Sequence, residues 1–471
     1  MRAMNNAEEI WTLAEAKRAA FLALSDTIWD QPELNFAEVE SCRAHTAMLA
    51  QEGFRITPNA AGLPTAVIGE AGQGGPVIAF LGEYDALPAL SQAPGIAEPH
   101  PLVAGGSGHG CGHNMLGAAS LLAATAVKDY LAAHGLPGRV RYYGCPAEEG
   151  GSGKGYMVRA GLFEDVDAAI SWHPASFTGV NKPISLACIE ANFHFTGRAA
   201  HAAAAPHLGR SALDAVELMN VGVNYLREHM PSSARVHYAI TDAGGIAPNV
   251  VQARASVRYL VRARELDEMH ALFARVKKIA EGAALMTETA LRCEVAAGAA
   301  NLLGNTTLER VMHGVLERLG PPPFDAEDQA LAREFRKTFT ADEIKAAFLR
   351  FGLTPRPDLA LCDSIYPLGG GDGSLVGSTD VGTVSWVVPT VQMRGATCAV
   401  GTPFHSWQLV AQGKSGIAHK GLEHAAKGMA ATAIDLMATP ALIDQAKADW
   451  RAVRAGRPFV NPTQDDVRPP V

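Results

Sequence analysis

Apolar residues recur at helical spacing over 7–30 (Ile10, Leu13, Ala14, Phe21, Leu24, Ile28), and Pro32 stops the run. Lys17 interrupts this stripe, but its aliphatic stem can cover apolar surface while the ammonium stays in water. A second helix is predicted over about 36–52. The pattern then shortens. Residues 65–70 and 76–88 read as strands, apolar runs bounded by Gly and Pro. Residues 89–107 read as a loop, 118–135 as a buried helix ended by Gly135, and 138–151 as a strand that runs into Pro146-Ala147-Glu148-Glu149. Residues 167–174 form a further apolar strand ending in His173 and Pro174. Strands and helices alternate, as in an α/β domain.

The texture changes near 187. Strand, helix (about 211–229), two strands, helix and strand follow in the ferredoxin-like order, with polar/apolar alternation over 253–261 marking a strand with one solvated face. Residues 187–302 are therefore expected to be a small α+β domain inserted between the two halves, 1–186 and 303–471, of a larger one. Helix returns at 303–320, an irregular segment with a helical patch near 325–350 spans 321–366, and a long helix covers about 415–437. Gly369-Gly370-Gly371-Asp372-Gly373 lacks the Lys-Ser/Thr of a phosphate loop and is expected to be a flexible turn.

Composition narrows the class of protein. With 471 residues there is chain enough for two or three domains, and 48% hydrophobic with 19% charged residues is ordinary for a soluble globular protein. A net charge of −8 gives no basic footprint for nucleic acid, and no apolar run is long enough for a transmembrane helix. Seven scattered cysteines make poor material for a disulfide framework and fit a reducing cytoplasm.

The candidate chemistry centres on Gly108-His109-Gly110-Cys111-Gly112-His113-Asn114. Glycines on either side permit a bent backbone that turns a thiolate and an imidazole onto one point. Asp85, the Glu148/Glu149 pair and His173 each stand at or just past the end of a predicted strand. Ligands of open α/β sheets bind outside the carboxyl ends of the strands. Cys, His and carboxylate together suit a borderline divalent ion: Zn²⁺, Mn²⁺, Co²⁺ or Ni²⁺. Of two adjacent glutamates, one can hold a metal while its neighbour handles a proton. Singly, each feature has a plainer meaning: a charged turn, a core histidine, a solvated strand end. His201 lies in Gly197-Arg198-Ala199-Ala200-His201-Ala202-Ala203, where no bulky neighbour would bury it.

The ordered set GHGCGHNMLG, PAEEGGSGKG, SWHP, GRAAHAAAAPH, APNVV followed by Arg262, and HSW resembles the amidohydrolase branch of the dinuclear metallopeptidases, the family of carboxypeptidase G, aminoacylase, hippurate hydrolase and the plant auxin-conjugate hydrolases. The resemblance spans roughly 20–440. It implies a mixed-sheet, zinc-exopeptidase-like catalytic domain with an inserted ferredoxin-like dimerisation or lid domain. It also implies two divalent ions, Zn or Mn foremost with Co or Ni as alternatives, on Cys111, His113, Glu149, His173 and His405. Glu148 is then the catalytic base, Asp85 the carboxylate behind a ligating His, and His201 a histidine delivered to the partner subunit's site, while Asn249 and Arg262 bind substrate.

The implied substrate is a small N-acyl amino acid, with p-aminobenzoyl-glutamate the best single guess. Another acyl amide of the hippurate or auxin-conjugate kind, or a dipeptide, is the alternative. A homodimer is expected, or a heteromer with a related subunit, with no nucleic-acid or membrane partner. A metal-binding regulatory subunit without catalysis, and a hydrolase using Cys111 as nucleophile, are the rival classes. Two departures from the branch, Asn114 for its Asp and Trp407 for its Pro, leave every ligand in place but can reshape the pocket.

Overall fold

The computed structural model of the chain describes residues 6–370, 377–465 and 467–469. Its first half opens with helices α1 (Asn6–Asp30) and α2 (Val39–Gln51), then strands β1 (Arg55–Pro58), β2 (Val67–Gln73) and β3 (Val77–Glu83). Helix α3 (His113–His134), β4 (Gly138–Cys145), α4 (Gly153–Arg159), β5 (Ala168–Ala175) and β6 (Gly179–Val180) follow. The chain then crosses to β7 (Ala187–Thr196), α5 (Ala212–Leu226), β8 (Arg235–Asp242), β9 (Arg254–Ala263), α6 (Leu266–Thr287) and β10 (Ala290–Ala299). It returns through α7 (Thr306–Leu319), α8 (Ala326–Arg336), α9 (Ala341–Arg350), α10 (Val381–Ser385), β11 (Thr390–Ala396), α11 (Trp407–Gln412), α12 (Gly416–Ala438) and α13 (Pro440–Arg454).

Seven strands make one mixed sheet in the order β1-β2-β4-β3-β5-β11-β6. Its four central strands, β4, β3, β5 and β11, are mutually parallel, so their carboxyl ends open on one edge. That shared edge is where the candidate residues meet. Helix α3 is apolar nearly all round because it is covered on every side, by α1, α12 and the sheet. Seven consecutive buried residues in β3 fit a strand covered on both faces.

The other four strands form a second sheet in the order β10-β7-β9-β8, all antiparallel, with α5 and α6 packed against it. Strand–helix–strand–strand–helix–strand is the connectivity of a ferredoxin-like unit. All of its strands come from 187–299, although Ala300, Leu303 and Trp386 also enter its core. Alternation along β9 gives one buried face, as Ala255, Val257, Tyr259, Val261 and Ala263 point inward.

The predicted helical patch at 325–350 is two helices, each started by its own capping box, at Asp325 and at Thr340. The 36–52 helix starts at Val39, because Phe36 takes a left-handed φ of 60°. Helix α13 has no counterpart among the predicted elements: Pro440 stands at its first turn, and only Ile443 and Ala446 are buried on an otherwise charged surface. Positions 371–373 of the glycine run expected to be a turn lie outside the described residues.

Candidate active site

The carboxyl ends of the parallel strands deliver the site. β3 leads to Asp85, β4 to Glu148 and Glu149, and β5 carries His173 in its sixth position, while Cys111 and His113 sit at the start of α3. His405 arrives from the loop before α11 with a positive φ of 56°, its backbone N–H held by Gly110 O at 2.8 Å. Gly112, between Cys111 and His113, has φ +77°, and a Cβ there would stand 2.9 Å from Met115 Cε and from Pro174 Cγ. Glycine is therefore required between the two donors.

The donors converge. Cys111 Sγ lies 3.2 Å from His173 Nε2. Cys111, His113 and His173 bring one ligand atom each within 4.8 Å of one another, as do Cys111, Glu149 and His405. His405 Nε2 is 3.4 Å from Glu149 Oε2. His113 Nδ1–H donates to Asp85 Oδ1 at 2.8 Å, and His173 Nδ1–H to the Pro174 carbonyl at 2.8 Å, which leaves both Nε2 lone pairs facing the site. Asp85 Oδ2 also accepts from the Glu149 backbone N–H at 2.8 Å.

These atoms fit divalent cations. His113 Nε2, Glu149 Oε1 and Glu83 Oε2 are buried without a hydrogen-bond partner. A buried polar atom left unsatisfied costs about 1–3 kcal/mol, and each of these belongs to a group of donors that positive charge would satisfy: Glu149 with Cys111 and His405, His113 and Glu83 with Glu148. The mixture of thiolate, imidazole and carboxylate matches the softness of Zn²⁺ or its neighbours.

Burial, and then the charges of Glu83 and Glu149, push the Glu148 carboxyl well above the ordinary range, and burial likewise raises Glu149. Burial raises the Cys111 thiol, with Glu149 adding to it. For Asp85 burial acts upward, but the His113 charge and hydrogen bond outweigh it and hold the carboxylate below its usual value. Glu148 exposes 9% of its side chain and Glu149 8%, whereas His405 exposes 54%, so His405 forms the open side of the cluster.

The structure gathers Asp85, Cys111, His113, Glu148, Glu149, His173 and His405 in one place. Except for Asp85 and His113, which stand just behind them, these line a cleft of about 830 Å³ together with Arg262 from β9. His201 and Asn249 are exposed and do not line that cleft. Their loops are joined to each other: Ala202 N–H donates to Asn249 O at 3.0 Å, and His201 pairs with Val250 in an isolated bridge. His201 Nδ1 accepts from the N–H groups of Ala203 and Ala204 at 3.2 and 3.1 Å, which leaves the proton on Nε2, pointing away from its own loop.

Sequence reading gave no role to a buried group beside the cluster. Lys154, fully buried, reaches Glu83 Oε1 at 2.6 Å and Asp380 Oδ1 at 2.5 Å. The other oxygen of Glu83 lies 3.3 Å from His113 Nε2. Burial disfavours the ammonium, but Asp380 and Glu83 outweigh that and keep Lys154 charged. A lysine in a glycine-rich stretch reads as surface; only the position of Glu83 beside Asp85 at a strand end pointed this way.

The chain resembles known proteins throughout. The sequence profile of Peptidase family M20/M25/M40 matches residues 79–347. One subunit of the p-aminobenzoyl-glutamate hydrolase of Escherichia coli (strain K12) is 46% identical over 465 residues, covering 97% of each chain. The Xaa-Arg dipeptidase of Mus musculus is 30% identical over 449 residues, 91% of this chain and 88% of that one. In fold the chain is similar to the Bacillus subtilis YXEP protein, a dinuclear metal binding peptidase, with a TM-score of 0.56 at 18% identity over 90% of this chain and 99% of that one. Profile, full-length relatives and converging metal donors agree: the chain is a metal-dependent amidohydrolase and belongs to Peptidase family M20/M25/M40.

Proposed function

We propose that the protein hydrolyses the amide bond of an N-acyl amino acid, with p-aminobenzoyl-glutamate, released as p-aminobenzoate and glutamate, as the best candidate. The carrying observation is the convergence of Cys111, His113, Glu149, His173 and His405 as two groups of three that share Cys111, with Glu148 beside them and bound to neither Asp85 nor Lys154. The substrate choice is supported by the 46% identical relative, whose name carries that compound. These five residues would hold two divalent ions, Zn²⁺ or Mn²⁺. Such ions supply Lewis acidity toward the scissile carbonyl and lower the pKa of water at the site.

Glu148, raised by burial, takes a proton from the attacking water and passes it to the leaving nitrogen. Arg262, whose buried Nε has no partner among the described residues, receives the substrate's α-carboxylate, and Asn249, which lies outside this cleft on the loop joined to His201, would aid substrate binding in the partner's site. His201 Nε2–H is a hydrogen-bond donor for the oxyanion of a partner's site. A two-fold assembly is supported by an apolar stripe on the outer face of α5 (Leu218, Val221, Tyr225) beside exposed Tyr238 and Ile240 on edge strand β8. That assembly is a homodimer, or a heteromer in which a related chain takes one place. The seven cysteines are all free, which fits our placement of the enzyme in the reducing cytoplasm, and among the described residues no helix is long and apolar enough to cross a membrane.

The test is hydrolysis of a panel of N-acyl amino acids and dipeptides by the purified chain, with its metal content measured, alongside Cys111→Ala and His173→Ala. Metal and turnover should fall together in both variants, and chelation should abolish activity. Turnover that survives chelation would favour Cys111 as a thiol nucleophile, and unchanged metal content in both variants would reject the ligand set.

A further inference from the structure

Three arginines line the cleft with no carboxylate of the described residues bound to them. Arg262 comes from β9, Arg394 from β11, and Arg350 from the last residue of α9. Arg394 gives its Nε–H to Asn181 Oδ1 at 3.0 Å, and Arg350 leans over the Phe351 ring, 5.9 Å from its centroid; neither has an ion-pair partner among the described residues. The acids that share the cleft wall are already engaged. Glu190 pairs with Arg258, Glu343 caps α9 at Thr340, Asp380 holds Lys154, and Glu148 and Glu149 belong to the metal cluster.

Position adds to this. β11 runs parallel to β5 with Arg394 in register opposite His173, so the guanidinium and the candidate ligand stand side by side on one face of the sheet. A basic residue in the last turn of a helix is ordinary. A second guanidinium beside it, half-buried on β11 and short of counter-charge, is not, even though Arg350 itself keeps an exposed edge. Burial, and then the nearby charge of Arg350, lower Arg394 to about 10, and burial also lowers Arg350. An anion between the two would relieve both the desolvation and the mutual repulsion.

We propose that Arg350 and Arg394 form a second carboxylate subsite, separate from Arg262, which selects substrates whose amino-acid half has an acidic side chain. The proposal rests on the hydrolase reading above and deepens it: Arg262 takes the α-carboxylate, while Arg350 and Arg394 take the side-chain carboxylate. It also gives a purpose to the 321–366 segment, which brings Arg350 to the cleft on α9. A substrate with an arginine side chain would set a third guanidinium against these two and is disfavoured.

Catalysis and binding are read separately. With N-benzoyl-L-glutamate and N-benzoyl-L-glutamine, the wild type should favour glutamate by about 10- to 100-fold in kcat/KM, the worth of hydrogen bonds to a charged group. In Arg350→Met and Arg394→Met that ratio should fall toward one, chiefly through KM, and Arg350→Lys should keep part of it. An unchanged ratio in both methionine variants, or a wild type that prefers N-benzoyl-L-arginine, overturns the subsite. The binding arm uses metal-loaded Glu148→Gln protein and calorimetric titration with the same compounds. Arg350-dependent binding of the glutamate compound without turnover by the wild type upholds the subsite and rejects the hydrolase reading. Equal binding of the glutamate and glutamine compounds rejects the subsite whatever the turnover.

Discussion

His113 and Asp85 are joined by a 2.8 Å hydrogen bond in which the imidazole Nδ1–H donates to the carboxylate. Neither side chain is exposed at all. The second Asp85 oxygen takes the backbone N–H of Glu149, so one carboxylate orients a candidate histidine ligand and the chain that carries a candidate glutamate ligand.

Replacing Asp85 with Asn should therefore weaken metal binding about 10- to 100-fold, the usual cost of losing such a partner. Competition with a chromophoric chelator measures it. Equal metal retention by the variant and the wild type would show that the bond only packs the core.

Glu148→Gln should keep the metal content of the wild type yet lose on the order of 10²–10⁴-fold in turnover, because a general acid–base group contributes that much. Metal analysis and kcat on the same preparation decide the point, and near-normal kcat would reduce Glu148 to a turn residue.

His201 should act in trans. His201→Ala and Glu148→Gln proteins, each inactive alone, should regain activity when their subunits exchange, since a mixed dimer has one site with both defects and one with neither. Labelled subunits establish that exchange took place. If it did and no activity returns, His201 serves its own chain or no chain.

Glu38 should make the protein less stable as pH rises. Fully buried, it is pushed up to about 8 from 4.5 by desolvation and then by Asp85, although Ala147 N–H donates to its Oε1 at 2.8 Å. A carboxyl with a raised folded pKa binds its proton more tightly in the folded state. Its contribution is complete below about 4.5 and is lost as pH climbs through about 8. Urea midpoints between these values should fall less steeply for Glu38→Gln than for the wild type; parallel curves would mean that Glu38 does not titrate in this range.

Much of this was legible in the order of residues, and the physical reason is locality. A buried parallel strand must be a short apolar run, and its end must be polar where it leaves the sheet, so Asp85, Glu148, Glu149 and the neighbourhood of His173 stood out. The Gly-Cys-Gly-His stretch announced a tight turn because only glycine accepts the backbone of Gly112. Alternation along 253–261 marked the half-covered strand β9.

Long-range pairing was not legible. Strand order, decided by which apolar faces pack together, alone brings β11 beside β5 and so Arg394 beside His173, although 221 positions separate the strands' partners in the chain. Burial turned Lys154 from an apparent surface lysine into the charge that holds Glu83 and Asp380 together. Helix α13 was hidden because two buried residues carry no readable period. The chain alone determined which side chains could do chemistry; which of them lack a counter-charge depends on every group around them, and only the folded structure decides that.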